Sequence, residues 1–161
     1  MIQLHHGSNV AIDSVDLSKS KNGKDFGKGF YLNPDYEQAL KWVRTRVDFY
    51  NFGKAIVTSF LFDIDKAKQD GLNIKIFDSY STEWAKFVVS NRKNSTQTLI
   101  HDYDVVIGPI ADDSVGNQIR RYMQNYITIE ELITEIKFYG SKAIQYYFAN
   151  EKALQYLKLQ K

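Results

Sequence analysis

The sequence contains no cysteine among its 161 residues. Disulfide bonds, thiolate nucleophiles and zinc–thiolate sites are therefore excluded. Histidine is also scarce, with three residues in the chain. A metal site built from imidazole and thiolate ligands is not expected, and we predict no bound metal.

An excess of charge of one sign is lacking as well. Lys and Arg number 21 against 19 Asp and Glu, so the formal net charge is +2 and no strong basic field indicates a nucleic-acid groove. No apolar run reaches membrane-spanning length, and the N-terminal residues have neither the basic segment nor the apolar core of a signal peptide. These features predict a cytoplasmic protein without a membrane partner, although a toxin exported without a signal peptide would share them.

The chain has no internal repeat and no low-complexity linker, and its length fits one domain spanning residues 1–161. Periodicity predicts strands at 2–4, 29–32, 55–62, 74–76, 103–110 and 143–148. It predicts helices at 33–50, 79–91, 114–125, 128–138 and 150–157, with Asn33 capping the first and a Thr128–Glu131 capping box on the fourth. Residues 13–28 read as a loop.

Alternating strands and helices would be compatible with a doubly wound parallel sheet. The sequence lacks the glycine-rich strand-to-helix turn of that fold, however, and its strands differ in length and polarity. A mixed or antiparallel sheet fits at least as well, so we predict the α+β class.

Three short segments are candidates for a site. His5 and His6 are adjacent on a predicted strand, so only one of them can face a given pocket. The glycines around Lys28 would let the backbone approach a ligand closely. Trp42 follows Tyr31 by eleven residues. Each segment also has a simpler interpretation, as a surface histidine beside a core histidine, a turn into a strand, or a core tryptophan.

Together these segments resemble the ADP-ribosyltransferases of the poly-ADP-ribose polymerase and diphtheria toxin branch. The segment His6-Gly7-Ser8 is similar to that branch's His-Gly-Ser/Thr motif, residues 27–31 (GKGFY) are similar to its Gly-Lys-Gly-Ile-Tyr segment, and Trp42 has the spacing of its second ring. The chain also resembles a small bacterial family of unknown function within this superfamily, through residues 38–39 (QA), 108–113 (GPIADD) and 145–148 (QYYF).

The resemblance implies a split mixed sheet flanked by helices and a site for NAD⁺ as co-substrate. His6 would hydrogen-bond the adenosine-side ribose, and the backbone of Gly7 would hydrogen-bond the nicotinamide carboxamide. Tyr31 and Trp42 would stack on the two faces of the nicotinamide ring. Ser8 and Gly29 complete the implied NAD⁺-binding residues. The implied catalytic residues are His6, Tyr31 and Gln145.

Gln145 stands where the related enzymes carry a catalytic glutamate. A neutral amide can orient the ribose 2′-hydroxyl, but it lacks the charge that stabilises an oxocarbenium-like sugar, a term of roughly 4 kcal/mol near 4 Å at an effective dielectric of 20. Because the exchange is nearly isosteric, we expect the fold to tolerate Gln145→Glu and NAD⁺ hydrolysis to rise. The alternative for Gln145 is a strand residue that faces a neighbour.

The favoured function is mono-ADP-ribosyl transfer from NAD⁺ with release of nicotinamide. The acceptor would be a protein or a nucleic acid, and the protein would act as a toxin or effector with an antitoxin-like partner. Two alternatives remain open. One is a catalytically weak module that binds NAD⁺ or ADP-ribose, and the other is an interaction domain of the toxin–antitoxin type.

Overall fold

The computed structural model describes residues 1–160, which fold into seven strands and six α-helices. The strands are β1 (Ile2–Ser8), β2 (Phe30–Leu32), β3 (Ile56–Phe62), β4 (Ile74–Ile76), β5 (Val105–Pro109), β6 (Ile144–Phe148) and β7 (Leu157–Leu159). The helices are α1 (Tyr36–Tyr50), α2 (Ile64–Gln69), α3 (Thr82–Lys93), α4 (Asp113–Met123), α5 (Ile129–Tyr139) and α6 (Glu151–Leu154). No helix within these residues has both the length and the apolar character needed to cross a bilayer.

The strands form two sheets, which confirms the α+β class. One sheet has the order β1-β3-β7 and the other the order β2-β6-β5-β4. Among the ladders of the described residues, β4 and β5 pair in parallel and the others are antiparallel. The sheets are therefore not those of a doubly wound fold.

The four-stranded sheet lies between two hydrophobic cores because successive side chains of a strand point to opposite faces. Tyr147 and Val106 pack with Trp84 and other residues of the helices α3, α4 and α5 on one face. Phe148 and Val105 pack on the other face against residues of the three-stranded sheet. Burial on both faces explains the continuous apolar sequence of β5.

A single bridge joins the two sheets beside the candidate site. The amide of His5 donates to the carbonyl of Asn33 at 2.7 Å, and the amide of Asn33 donates back at 2.8 Å. Helix α1 approaches β1 so closely that a Cβ on Gly7 would lie 2.6 Å from the carbonyl oxygen of Ala39. Only glycine fits there, so the His-Gly-Ser segment is fixed by packing as well as by the bridge.

The structure corrects several predicted boundaries. Helix α1 is capped by Asp35 and not by Asn33, because the Asn33 side chain accepts from the Asp35 amide while Asp35 accepts from Gln38. The last predicted helix ends at Leu154, since residues 157–159 pair with β3. Helix α2 was not predicted, and β1 is longer than residues 2–4. The Thr128 capping box is confirmed.

Candidate functional site

A cleft of about 610 Å³ opens between β1, α1 and the loop of residues 9–20. Six of the residues singled out in the sequence line it: His6, Gly7, Ser8, Gly29, Tyr31 and Trp42. The chain brings them together because the bridge between the two sheets places β1 beside the end of β2. Gln145 does not line the cleft.

His6 is held in one orientation by the backbone of β2. Its Nδ1 lies 2.7 Å from the carbonyl oxygen of Tyr31. A carbonyl only accepts hydrogen bonds, so Nδ1 carries the proton and the neutral ring offers Nε2 as an acceptor. Burial lowers the pKa of His6 in spite of that bond, and the nearby Lys24 lowers it further. The ring is therefore neutral at pH 7 and suited to accept a hydrogen bond from a hydroxyl group.

His5 has a separate environment, as expected for neighbours on a strand. Its Nδ1 lies 2.8 Å from the hydroxyl oxygen of Ser59, and its ring meets Tyr36 edge to face. His5 does not line the cleft.

Tyr31 is a fixed aromatic surface of the cleft. Its hydroxyl donates to the carbonyl of Gly27 at 2.7 Å and accepts from the amide of Phe26 at 3.0 Å. Burial raises the pKa of this phenol well above its usual value. The ring packs against Tyr147 with centroids 5.1 Å apart. Tyr31 can therefore offer a ring face to a ligand, but its hydroxyl is committed to the loop and unsuited to proton transfer.

Trp42 projects from α1 into the cleft and remains 53% exposed. It is therefore not the core tryptophan of the simpler interpretation. The guanidinium of Arg46 lies 4.8 Å from the centre of its ring and 5.6 Å from that of Tyr50. Trp42, Arg46 and Tyr50 follow one another at intervals of four residues, so they share one face of the helix.

Two cations of the cleft have no carboxylate partner. Neither Lys24 nor Arg46 takes part in the ion pairs formed within residues 1–160. The Lys24 ammonium lies 4.9 Å from the centre of the Tyr31 ring. Burial in the cleft lowers the pKa of Lys24, and the positive charge of Arg46 lowers it further. Unpaired cations beside aromatic rings favour a ligand with both an anionic group and a planar ring.

Gly29 lines the cleft, but its backbone is already hydrogen-bonded. The hydroxyl of Ser20 donates to the Gly29 carbonyl at 2.8 Å and accepts from the Gly29 amide at 2.9 Å. A Cβ at this position would overlap the Tyr147 ring. The glycine is therefore explained by close packing, and a ligand would have to displace Ser20 to bond its backbone.

Gln145 belongs to a neighbouring cluster that we call the Asp25 cluster: Asp25, Arg92 and Gln145. The Gln145 amide donates to Asp25 Oδ2 at 3.1 Å. The Arg92 Nε–H donates to Asp25 Oδ1 at 2.8 Å, and the Nη2 of the same guanidinium forms an ion pair with Oδ1 at 2.8 Å. The Ala111 amide lies 3.4 Å from Oδ2. Both oxygens of this carboxylate accept hydrogen bonds, and it holds Gln145 as a strand residue facing a neighbour.

The contact with Asp25 argues that Gln145→Glu would destabilise the fold, against the expectation from the sequence. A glutamate would put a second carboxylate against Asp25 at a hydrogen-bonding distance, where two negative charges repel. The register of β6 does leave Gln145 on the same sheet face as Tyr147, which packs on Tyr31. Gln145 can act on the cleft only through these neighbours.

Sequence reasoning missed Lys24, Arg46, Arg92 and the contact between Asp25 and Gln145. Arg46 could have been found, because it lies four residues from both Trp42 and Tyr50 on a predicted helix. The contact between Asp25 and Gln145 spans 120 positions and has no local signal. Lys24 lies three residues before the segment of residues 27–31 but has no pattern of its own.

Comparison with known proteins gives one family. A search of curated proteins and a search of solved structures found no match. The model of the family described as "Protein of unknown function (DUF3990)" matches residues 2–159, a range that includes every residue of the cleft and of the Asp25 cluster. The chain therefore belongs to the DUF3990 family.

Proposed function

We propose that the cleft binds NAD⁺ and that the protein is a mono-ADP-ribosyltransferase with the split mixed sheet of that superfamily. The observation that carries the proposal is the meeting of His6, Tyr31 and Trp42 in one cleft of about 610 Å³. A volume of this size is within the range of small-molecule and cofactor sites. The resemblance to the superfamily rests on these same residues.

The chemistry of the walls matches the parts of NAD⁺. The nicotinamide of NAD⁺ is a planar cation, and the ring faces of Tyr31 and Trp42 would hold it by stacking and cation–π attraction, worth about 1–2 kcal/mol. The diphosphate would replace the missing carboxylate partners of Lys24 and Arg46. His6 Nε2 would accept a hydrogen bond from a ribose hydroxyl.

Lys24 has to leave the Tyr31 ring for this arrangement to form, because its ammonium lies over the face that the nicotinamide would use. A flexible lysine side chain makes that movement by changing rotamers. The ammonium would exchange its contact with the ring for a charge-assisted hydrogen bond to phosphate.

The reaction would break the bond between C1′ of the ribose and N1 of nicotinamide. The bonding electrons leave with nicotinamide, which becomes neutral, and positive charge develops on the sugar. A nucleophile on the acceptor then donates a lone pair to C1′ and loses its proton to solvent. Stacking on Tyr31 and Trp42 stabilises the charged ground state, so it supports binding more than rate.

One observation favours a second candidate, a module that binds NAD⁺ or ADP-ribose without efficient turnover. Gln145 is neutral and bonded to Asp25, and the charge of Asp25 is itself compensated by Arg92. No uncompensated carboxylate of this cluster is available for a developing positive charge. Slow release of nicotinamide is therefore expected even if NAD⁺ binds well.

The test is to incubate the purified protein with NAD⁺ and to quantify free nicotinamide by chromatography. His6→Gln should abolish release because it removes the ring that accepts the ribose hydroxyl, while the matched His101→Gln should retain it. NAD⁺ binding without any nicotinamide would select the binding module. If millimolar NAD⁺ neither binds nor reacts, both proposals fail and the toxin–antitoxin-type interaction domain is left.

A further inference from the structure

The second half of α1 and the turn after it carry exposed aromatic rings. Trp42, Phe49, Tyr50 and Phe52 are each more than half exposed, and Phe49 reaches 80%. Arg46 follows Trp42 by four residues, and Phe49 and Tyr50 follow Arg46 by three and four, which puts them along one face of the helix. We call these four residues, together with Phe52, the aromatic stripe.

The stripe continues directly into the cleft. Trp42, Tyr50 and Phe52 all line the cleft, while Phe49 lies outside it and packs edge to face on Tyr50 with centroids 5.0 Å apart. A molecule lying along the stripe would therefore end at the cleft mouth. Exposed aromatic residues in such a continuous set are unusual on a surface without a binding role.

The charge around the stripe favours an anionic partner. Residues 36–54 contain four cations (Lys41, Arg44, Arg46 and Lys54) and two carboxylates (Glu37 and Asp48). Of the helical cations, Arg46 shares the face of the stripe, whereas Arg44 lies on the opposite side of α1. None of the four cations belongs to an ion pair within the part of the chain that the structure describes. Arg46 stacks over two rings of the stripe and donates no hydrogen bond to the described residues, so its N–H groups are available to phosphate.

A second exposed aromatic pair provides the contrast. Phe138 and Tyr139 at the end of α5 also meet edge to face, with centroids 4.8 Å apart, and Phe138 is 80% exposed. Their helix, however, carries three glutamates and one lysine. Exposed aromatic residues alone therefore do not distinguish the stripe from this pair. The stripe differs because it also has an unpaired cation and continues into a cleft.

We infer that the aromatic stripe binds single-stranded nucleic acid and leads it to the cleft. Unpaired bases stack on aromatic side chains, and cations along the same groove track the phosphates. A duplex hides its base faces and cannot stack in this way. If the proposed function holds, on which this last step rests, a nucleic-acid base or sugar-phosphate terminus is the ADP-ribose acceptor.

The experiment measures fluorescence anisotropy of labelled 12-nucleotide oligo-dT and oligo-U with the full chain, without NAD⁺. We expect at least one oligonucleotide to bind in the micromolar range at low salt, to weaken as salt rises, and to bind at least tenfold better than a duplex of equal length. The comparison of dT with U decides between DNA and RNA. Failure to bind either strand at 100 µM protein, or equal binding to the duplex, overturns the inference.

Matched variants locate the binding. Phe49→Ala should weaken oligonucleotide binding about tenfold, since it removes one stacking ring, and Phe138→Ala should leave it unchanged. Equal effects of the two variants overturn the inference, as does a dimer in sedimentation analysis that Phe49→Ala dissociates while no oligonucleotide binds. Because Phe49 does not line the cleft, NAD⁺ binding should persist in Phe49→Ala. If the wild type binds the oligonucleotide but does not bind NAD⁺, the result counts against the proposed function and leaves this inference standing.

Discussion

Within residues 1–160, Lys24 and Arg46 of the cleft form no ion pair with a carboxylate, whereas Asp25, next to Lys24 in the sequence, receives hydrogen bonds from Arg92 and Gln145. The two regions share the segment of residues 24–31, but the cations of the cleft are unpaired and the charges of the Asp25 cluster are paired. A cluster whose charges are paired and hydrogen-bonded to each other holds the fold in place. Cations left without partners beside exposed rings are available to a ligand. The contrast supports the proposal that the cleft binds a ligand while the Asp25 cluster holds the fold.

The largest expected effect comes from breaking the Asp25 cluster. The side chains of Arg92 and Asp25 are 20% and 13% exposed, so Arg92→Ala strands a mostly buried carboxylate. We expect a loss of about 3 kcal/mol in the free energy of unfolding, or roughly 6–12 °C in Tm. Arg46→Ala is the matched control and should change stability by less than about 0.5 kcal/mol. Equal losses in urea denaturation would erase the distinction between the two regions.

A smaller loss is expected when the cluster keeps Arg92 but gains a second negative charge. Gln145→Glu should cost about 2 kcal/mol at pH 7, because its carboxylate faces Asp25. The repulsion raises the folded-state pKa of the pair, so the penalty should shrink as the pH falls and a proton is bound. Gln97→Glu is the control, since its side chain accepts from Lys28 and would gain an attraction. A penalty independent of pH would show that charge is not the cause.

His6 and His101 should both make the stability of the protein depend on pH. Burial lowers the pKa of His6 in the cleft and of His101 near the Asp25 cluster from the usual 6.5. A depressed folded-state pKa means that the unfolded chain binds more protons, so stability is full above pH 6.5 and falls as the pH drops below it. Each histidine contributes a slope of up to about 1.4 kcal/mol per pH unit. His6→Gln and His101→Gln should each flatten that slope, measured by urea denaturation between pH 7.5 and 5.

Only one of these two variants should affect the ligand. His6 lines the cleft, whereas the His101 ring bonds the Phe26 carbonyl at 2.8 Å and stacks near Tyr103. His6→Gln should therefore weaken NAD⁺ binding and His101→Gln should not. If the free energy of unfolding of both variants depends on pH as it does in wild type, neither histidine titrates between pH 7.5 and 5.

The sequence predicted the elements with strong local signals. The periodicity of α1, the Thr128 capping box and the buried run of β5 all depend on neighbours within a few residues. Strand β7 was not predicted, and its first residue, Leu157, was assigned to the end of a helix, because the pairing of β7 with β3 joins residues almost 100 positions apart. Local propensity gives way to tertiary pairing in such cases.

The site residues also divide into those that the sequence could indicate and those that depend on three-dimensional packing. His6, Tyr31 and Trp42 were singled out by a resemblance that carries long-range information, and they line one cleft. The resemblance could not foresee that Gln145 donates to Asp25, because that contact depends on how residues 24–31 pack against β6. The unpaired state of Lys24 and Arg46 is also a property of three-dimensional placement, not of residue type.

The central claim, that the cleft binds NAD⁺ between Tyr31 and Trp42, is tested most directly by calorimetric titration of NAD⁺ into wild type, Trp42→Ala and Phe138→Ala. Trp42 and Phe138 are both exposed aromatic residues of helices, but only Trp42 lines the cleft. The account predicts saturable binding by wild type, a dissociation constant raised about tenfold or more in Trp42→Ala, and wild-type affinity in Phe138→Ala. Unchanged affinity in Trp42→Ala, or no binding of NAD⁺ to wild type at millimolar concentration, would contradict it.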